Sequence, residues 1–149
     1  LKRGEEVKIL RDEENGWYAI DFEGHIRYVH GDYITTDQDE VNGYTASSWD
    51  GPVLTASAGT ITGPSGKETY YNLNMSGVVS IMRSLGNTDE YWVRDDGAKM
   101  LGNYVMVAAN LNVHPRGSIV ETSLGLGIVC DTGGFASGNS TQLDIAVNW

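Results

Sequence analysis

Apolar and polar residues follow each other in short runs along most of this chain, and glycine or asparagine breaks nearly every run. The last run is the clearest. Between Leu143 and Trp149, Leu143, Ile145 and Val147 fall on one side of an extended strand, and Asp144, Ala146 and Asn148 on the other. Tyr104 to Ala108 is apolar throughout, as a strand covered on both faces would be. A Pro115-x-Gly117 turn follows it. Gly127 to Cys130 is another apolar run, and it ends in Asp131-Thr132-Gly133-Gly134. Shorter strands are expected at Glu6 to Leu10, Trp17 to Phe22, Ile26 to Val29, Glu68 to Tyr71 and Tyr91 to Val93. Asn15-Gly16, Glu23-Gly24 and Arg94 to Gly97 read as the turns between strands. One stretch breaks the rule. Met75, Val78, Val79, Met82 and Leu85 recur at helical spacing, with Asn74 as a start signal and Gly86 as a stop. Gly77 weakens that helix by about 1 kcal/mol relative to Ala. The expected fold class is therefore mainly β, with one or more short helices.

Three segments follow from the composition along the chain. Residues 1–35 form a small β module and residues 67–149 a larger β domain. Residues 36–66, rich in Thr, Ser, Asp and Gly, read as a linker. Within that linker, Val53 to Thr55 and Thr60 to Thr62 are expected as short edge strands, with Tyr44 and Trp49 pinning it to a domain. In the first module Trp17 and Tyr28 are expected in the core, leaving Tyr18 or Tyr33 exposed.

Charge narrows the partners. The net charge is −10, with no basic stripe, which disfavours nucleic acid and anionic membrane surfaces and suits a neutral or cationic polymer. No apolar stretch approaches the length of a membrane span. Cys130 stands alone, so no internal disulfide forms. It reads as a small buried residue, and Asp131 beside it would raise its thiol pKa and argue against a nucleophile. His25 and His30 lack a third ligand at metal spacing, and Asp95-Asp96-Gly97 lacks the acidic residue that a calcium loop requires, so neither metal nor cofactor is expected. His114 reads as a surface residue. The chain opens on Leu1 without Met, as a fragment or processed form would.

Two carboxylates carry the candidate chemistry. Asp131 ends one strand and Asp144 lies on the open face of the last. If those strands are neighbours, the pair shares a cleft, and a partly desolvated carboxylate beside a like charge becomes a usable general acid near neutral pH. The structural alternatives are a turn cap for Asp131 and a solvated edge carboxylate for Asp144.

The residues from Ala108 onward, in the order AxN, VxPxG, DTGG, GN and LDIAV, resemble the three-aspartate ("3D") domain over about 67–149. They are similar to the C-terminal part of the lytic transglycosylase A family and, more distantly, to rare lipoprotein A and the expansins. That resemblance implies a six-stranded double-psi β-barrel. It also implies an exported, cell-wall enzyme that cleaves N-acetylmuramic acid–N-acetylglucosamine bonds of peptidoglycan with one Asp as acid and base. It points to Asp144 as the acid, supported by Asp131, and places Asn110 where the family has its first Asp. Tyr70 and Tyr71 would stack on sugar rings. Thr132, Gly133 and Gly134 would bind sugar hydroxyls or the N-acetyl group, and Asn110 would keep a hydrogen bond. The same resemblance leaves open a glycan-gripping, expansin-like module without catalysis, or a part of a phage tail or conjugation apparatus. Separately, LKxGEEVKIL, NGWYxI and YVHxDYI resemble a bacterial SH3 domain without its first strand, which implies a small barrel that binds cell-wall peptide or acts as a spacer.

Overall fold

A computed structural model describes residues 6–36 and 49–149. The chain divides into two compact units, Leu1–Thr45 and Ala46–Trp149.

In the first unit β1 (Lys8–Asp12), β2 (Trp17–Phe22) and β3 (His25–His30) form an antiparallel sheet in chain order, and a 3-10 turn covers Gly31–Tyr33. The β2–β3 turn has positive φ at both central residues, 53° at Glu23 and 77° at Gly24, the geometry that matches strand twist. Asp21 Oδ1 accepts the Gly24 N–H there at 3.0 Å. Ala19, Ile20 and Val29 are buried. Trp17 and Tyr28 are not in the core as expected; they are 44% and 58% exposed. Tyr18 pairs with Val29 on one face, which places Trp17 and Tyr28 on the other. The described strands form a three-stranded sheet rather than a closed barrel.

The second unit holds β4 (Thr60–Gly63), β5 (Gly66–Tyr71), α1 (Ser76–Ser84), β6 (Tyr91–Val93), β7 (Lys99–Leu101), β8 (Tyr104–Ala108), β9 (Ile119–Thr122), β10 (Gly125–Asp131), α2 (Phe135–Gly138) and β11 (Leu143–Ala146). Its eight strands form one sheet in the order β4-β5-β11-β8-β10-β9, with β7 also on β8 and β6 on β7. Two pairings are parallel, β11 with β5 and β10 with β8. The class is mainly β, as expected, but the six-stranded closed barrel is not what the ladders make. Among the described residues no ladder joins β4 to β9. Side chains tie those ends instead. Ser65 Oγ donates to the Glu121 carbonyl at 2.8 Å, and the Glu68 carboxylate accepts the Ser123 N–H at 2.9 Å and the Ser123 hydroxyl at 2.6 Å.

The expected linker also changes. Residues 37–48, with Tyr44, lie outside the described residues, and from residue 49 onward the segment belongs to the second unit. Thr60 to Thr62 is a strand, as expected. Val53 to Thr55 is not, because Leu54 is buried in the core and its N–H is taken by the Ser123 hydroxyl at 3.0 Å rather than by a neighbouring strand. Trp49 Nε1 donates to the Pro52 carbonyl at 2.9 Å.

The helix ends as its sequence dictates. Gly86, at φ 94°, donates its N–H to Arg83, and Asn87 donates to Met82, the paired bonds of a glycine-terminated helix. At the other end Asn74 Oδ1 accepts the Ser76 N–H at 3.0 Å. Met75, Val78 and Met82 pack with Met106, Ile128, Cys130 and Ala146 on one side of the sheet. On the other side lie Leu54, Val105, Ile145 and Val147, with Val107, Val129 and Leu143 in a further cluster. Gly127 sits where β8 and β10 approach closely; a Cβ there would lie 2.6 Å from Val107 Cγ2. Gly127→Ala is therefore expected to cost about 1–3 kcal/mol by overpacking, read as a lowered midpoint in urea denaturation.

Candidate active site

The strand register gathers the two carboxylates. Thr69 of β5 pairs with Asp144 of β11, Asp144 with Ala108 of β8, and Ala108 with Asp131 of β10. All four lie in one row across the sheet. The strands bearing the two aspartates are not neighbours, since β8 runs between them. Two strand spacings put their backbones roughly 10 Å apart. The side chain between them is the small methyl group of Ala108, so nothing bulky stands in the row.

Asp131 reaches this row through an irregularity. Val129 pairs with Val107, yet Asp131, not Cys130, pairs with Ala108. Cys130 is the extra residue of a β-bulge. Regular alternation would turn Asp131 to the opposite face from Cys130; the bulge puts both on the α1 side. The Cys130 carbonyl, which the bulge takes out of the ladder, accepts Arg116 Nε at 3.1 Å. The Cys130 thiol is fully buried, donates to the Val107 carbonyl at 3.6 Å, and is pushed up to about 12 by burial, with Asp131 adding to the shift. It is a packing residue with no nucleophilic character at neutral pH.

Each carboxylate has its own partners. The Tyr71 hydroxyl donates to Asp131 Oδ2 at 3.1 Å, and Asp131 Oδ1 accepts the Thr132 N–H at 2.9 Å. Asp131 thus caps the turn that follows it while its other oxygen is held by Tyr71. The Thr69 hydroxyl donates to Asp144 Oδ1 at 2.8 Å, and Gln142 Nε2 donates to that same Thr69 oxygen at 3.0 Å. Gln142 fixes which way the Thr69 proton points, and Thr69 then fixes the carboxyl. Burial raises the Asp144 pKa above its ordinary value and the Asp131 charge raises it further, while the Thr69 hydrogen bond pulls the other way. Burial also raises Tyr71 well above the usual phenol range, with Cys130, Asp131 and Asp144 adding to it, so Tyr71 stays a hydrogen-bond donor.

The other expected site residues divide. Tyr71 faces the pair. Tyr70 does not; it lies on the opposite face, edge-on to Trp149 at 4.6 Å between ring centroids, with its hydroxyl donating to the Ala56 carbonyl at 3.4 Å. Thr132, Gly133 and Gly134 are exposed beside Asp131, leading into α2. Asn110 is used by the fold: its Oδ1 accepts the Asn112 N–H at 2.9 Å and its Nδ2 donates to the Ala136 carbonyl at 3.0 Å. A carboxylate at 110 could not make that second bond, because it has no N–H to donate. Thr69 and Gln142 carry no motif of their own. Among the described residues, no three His, Cys, Asp or Glu side chains gather as a metal site requires.

No family model, curated protein or solved structure matches this chain.

Proposed function

We propose that the second unit acts on peptidoglycan glycan strands as a lytic transglycosylase, with Asp144 as its single acid and base. The observation that supports acid–base chemistry is the row Thr69–Asp144–Ala108–Asp131, in which a half-buried carboxyl with a raised pKa shares a sheet face with a second, hydrogen-bonded carboxylate; the glycan substrate follows from the three-aspartate resemblance. Protonated Asp144 gives its proton to the glycosidic oxygen as the bond from the muramoyl anomeric carbon breaks. The 6-hydroxyl of the same sugar then bonds to that carbon and returns its proton to Asp144, which leaves a 1,6-anhydro product and consumes no water. Thr69 occupies Oδ1, which leaves Oδ2 for the substrate. Burial chiefly favours the protonated form of Asp144, and the Asp131 charge, held by Tyr71, adds to that and steadies the developing positive charge on the sugar. The exposed Trp17, Tyr28 and Tyr33 of the first unit offer flat apolar surface for a separate cell-wall contact there.

The test is incubation with purified peptidoglycan and mass spectrometry of what is released. Anhydromuramoyl fragments support the reading. Reducing ends would mean hydrolysis with a second working carboxylate. Retention on the sacculus without release would move the reading to a glycan-gripping module. Because the acid must be protonated, turnover is expected to fall as pH rises through the Asp144 pKa. Asp131→Asn removes one of the contributions that raise it, so this basic limb is expected to move to lower pH, as a pH–rate profile would record.

A further inference from the structure

A second site lies beyond the end of β5. A groove of about 720 Å³ opens there, lined by Asn72, Leu73, Met75, Ser76, Tyr91 and Lys99 among others. Lys99 is only 6% exposed. Its ammonium donates to Asn72 Oδ1 at 2.7 Å and to the Leu73 carbonyl at 2.6 Å, both neutral acceptors. Among the described residues no carboxylate pairs with it. Burial lowers its pKa, with no neighbouring charge acting against that. An ammonium carries three donors, and two are used. Buried lysines are almost always paired, so a cation held this way at the wall of an open groove is poised for an anion from outside.

The chemistry around it selects the anion. Asn72 presents its oxygen to Lys99, which leaves its NH₂ group as a further donor. Burial raises the Tyr91 pKa, so its hydroxyl also stays a donor. One cation and neutral donors match one negative charge. A chain of net charge −10 repels multiply charged anions. Leu73, Met75 and Tyr91 offer apolar wall beside that charge. Ser76, at the first turn of α1, already gives its N–H to Asn74, so the lysine and not the helix end supplies the attraction.

We infer that this groove binds a small carboxylate with one negative charge and an apolar substituent, anchored on Lys99. The site includes neither Asp131 nor Asp144 and stands whether or not the chain cleaves glycan.

The experiment is an NMR titration of the full chain with N-acetylalanine, with N-acetylalaninamide and with inorganic phosphate, at constant ionic strength. N-acetylalanine is expected to give saturable shifts at Ser76, Tyr91 and Lys99, and to bind about tenfold or more tightly than the amide, a difference of about 1.4 kcal/mol. Lys99→Met is expected to abolish that preference. Ser76 is exposed, so Ser76→Glu leaves the fold intact while setting a like charge at the rim. It is expected to weaken acid binding about threefold or more. Equal binding of acid and amide, tighter binding of phosphate, or an unchanged affinity in Ser76→Glu would each overturn the inference. If Lys99→Met fails to fold, the Ser76→Glu comparison decides alone.

Discussion

Asp144→Asn is expected to lower glycan cleavage by roughly 10²–10⁴-fold, the usual contribution of a positioned general acid or base, while binding to the sacculus persists. The fold should not suffer. Asn keeps an oxygen for the Thr69 hydroxyl, which now donates to Asp144 Oδ1. It also removes a cost. The folded pKa of Asp144 is raised, chiefly by burial, so its contribution to stability is fully present below the unfolded carboxyl value of about 3.9 and is lost as pH rises through the folded value. At neutral pH the variant is therefore expected to be at least as stable as the parent. Anhydro-product release and urea denaturation, measured on the same preparation, check both halves. A variant that cleaves as fast as the parent removes Asp144 from the mechanism. A variant that unfolds more readily shows that the carboxyl holds the fold in a way that its bond from Thr69 does not explain.

The second large effect is on stability. Glu68 is fully buried, yet no cation pairs with it among the described residues. Both its oxygens are used, Oε1 by the Ser123 N–H and Oε2 by the Ser123 hydroxyl, whose oxygen in turn accepts the Leu54 N–H. This small network joins β5, the β9–β10 turn and the segment before β4, where no ladder does. Glu68→Ala is expected to cost about 2–4 kcal/mol, since it leaves buried donors unmet and opens a cavity. Glu68→Gln keeps the volume and an acceptor, and Ser123 Oγ can accept from its NH₂; its cost should stay within about 1 kcal/mol at low pH. The sign of the pH effect follows from the raised folded pKa of Glu68, caused first by burial. The contribution of Glu68 to stability is fully present below the unfolded value of about 4.3 and is lost as pH rises through the folded value. Glu68→Gln should flatten that part of the profile. Urea denaturation of all three proteins across acid and neutral pH gives the comparison.

Much of this architecture is written in local pattern. The alternation of Leu143, Ile145 and Val147 against Asp144 appears in β11 as expected. The helix starts near Asn74 and ends at Gly86, and Cys130 is buried. Period-two alternation also excludes Tyr70 and Tyr71 from sharing a groove, because neighbours in a strand face opposite ways. Other features depend on contacts distant in sequence. Alternation gives a face but not a neighbour, so the interposed β8 was not legible. The strands β7 and β9 are only a few residues long, and their signals lie in the Gly102-Asn103 turn and in Ile119 to Thr122. Leu54, in a polar segment, is buried because the β9–β10 turn supplies Ser123. Trp17 and Tyr28 share a sheet face with the buried Ala19, where the thin sheet covers a methyl group but not the large rings.

The bulge at Cys130 has a genetic consequence. A deletion of that one codon would restore regular pairing of β10 with β8, with the Asp in step with Ala108 but the strand one residue shorter where it enters Asp131-Thr132-Gly133-Gly134. An insertion of one codon there would turn the Asp to the opposite face. Substitutions at residues 128–130 leave that register as it is, whereas one added residue turns the Asp131 carboxyl away from Asp144. Lineages of this chain should therefore tolerate apolar drift at Leu126, Ile128 and Val129 far more readily than an added residue between them and Asp131.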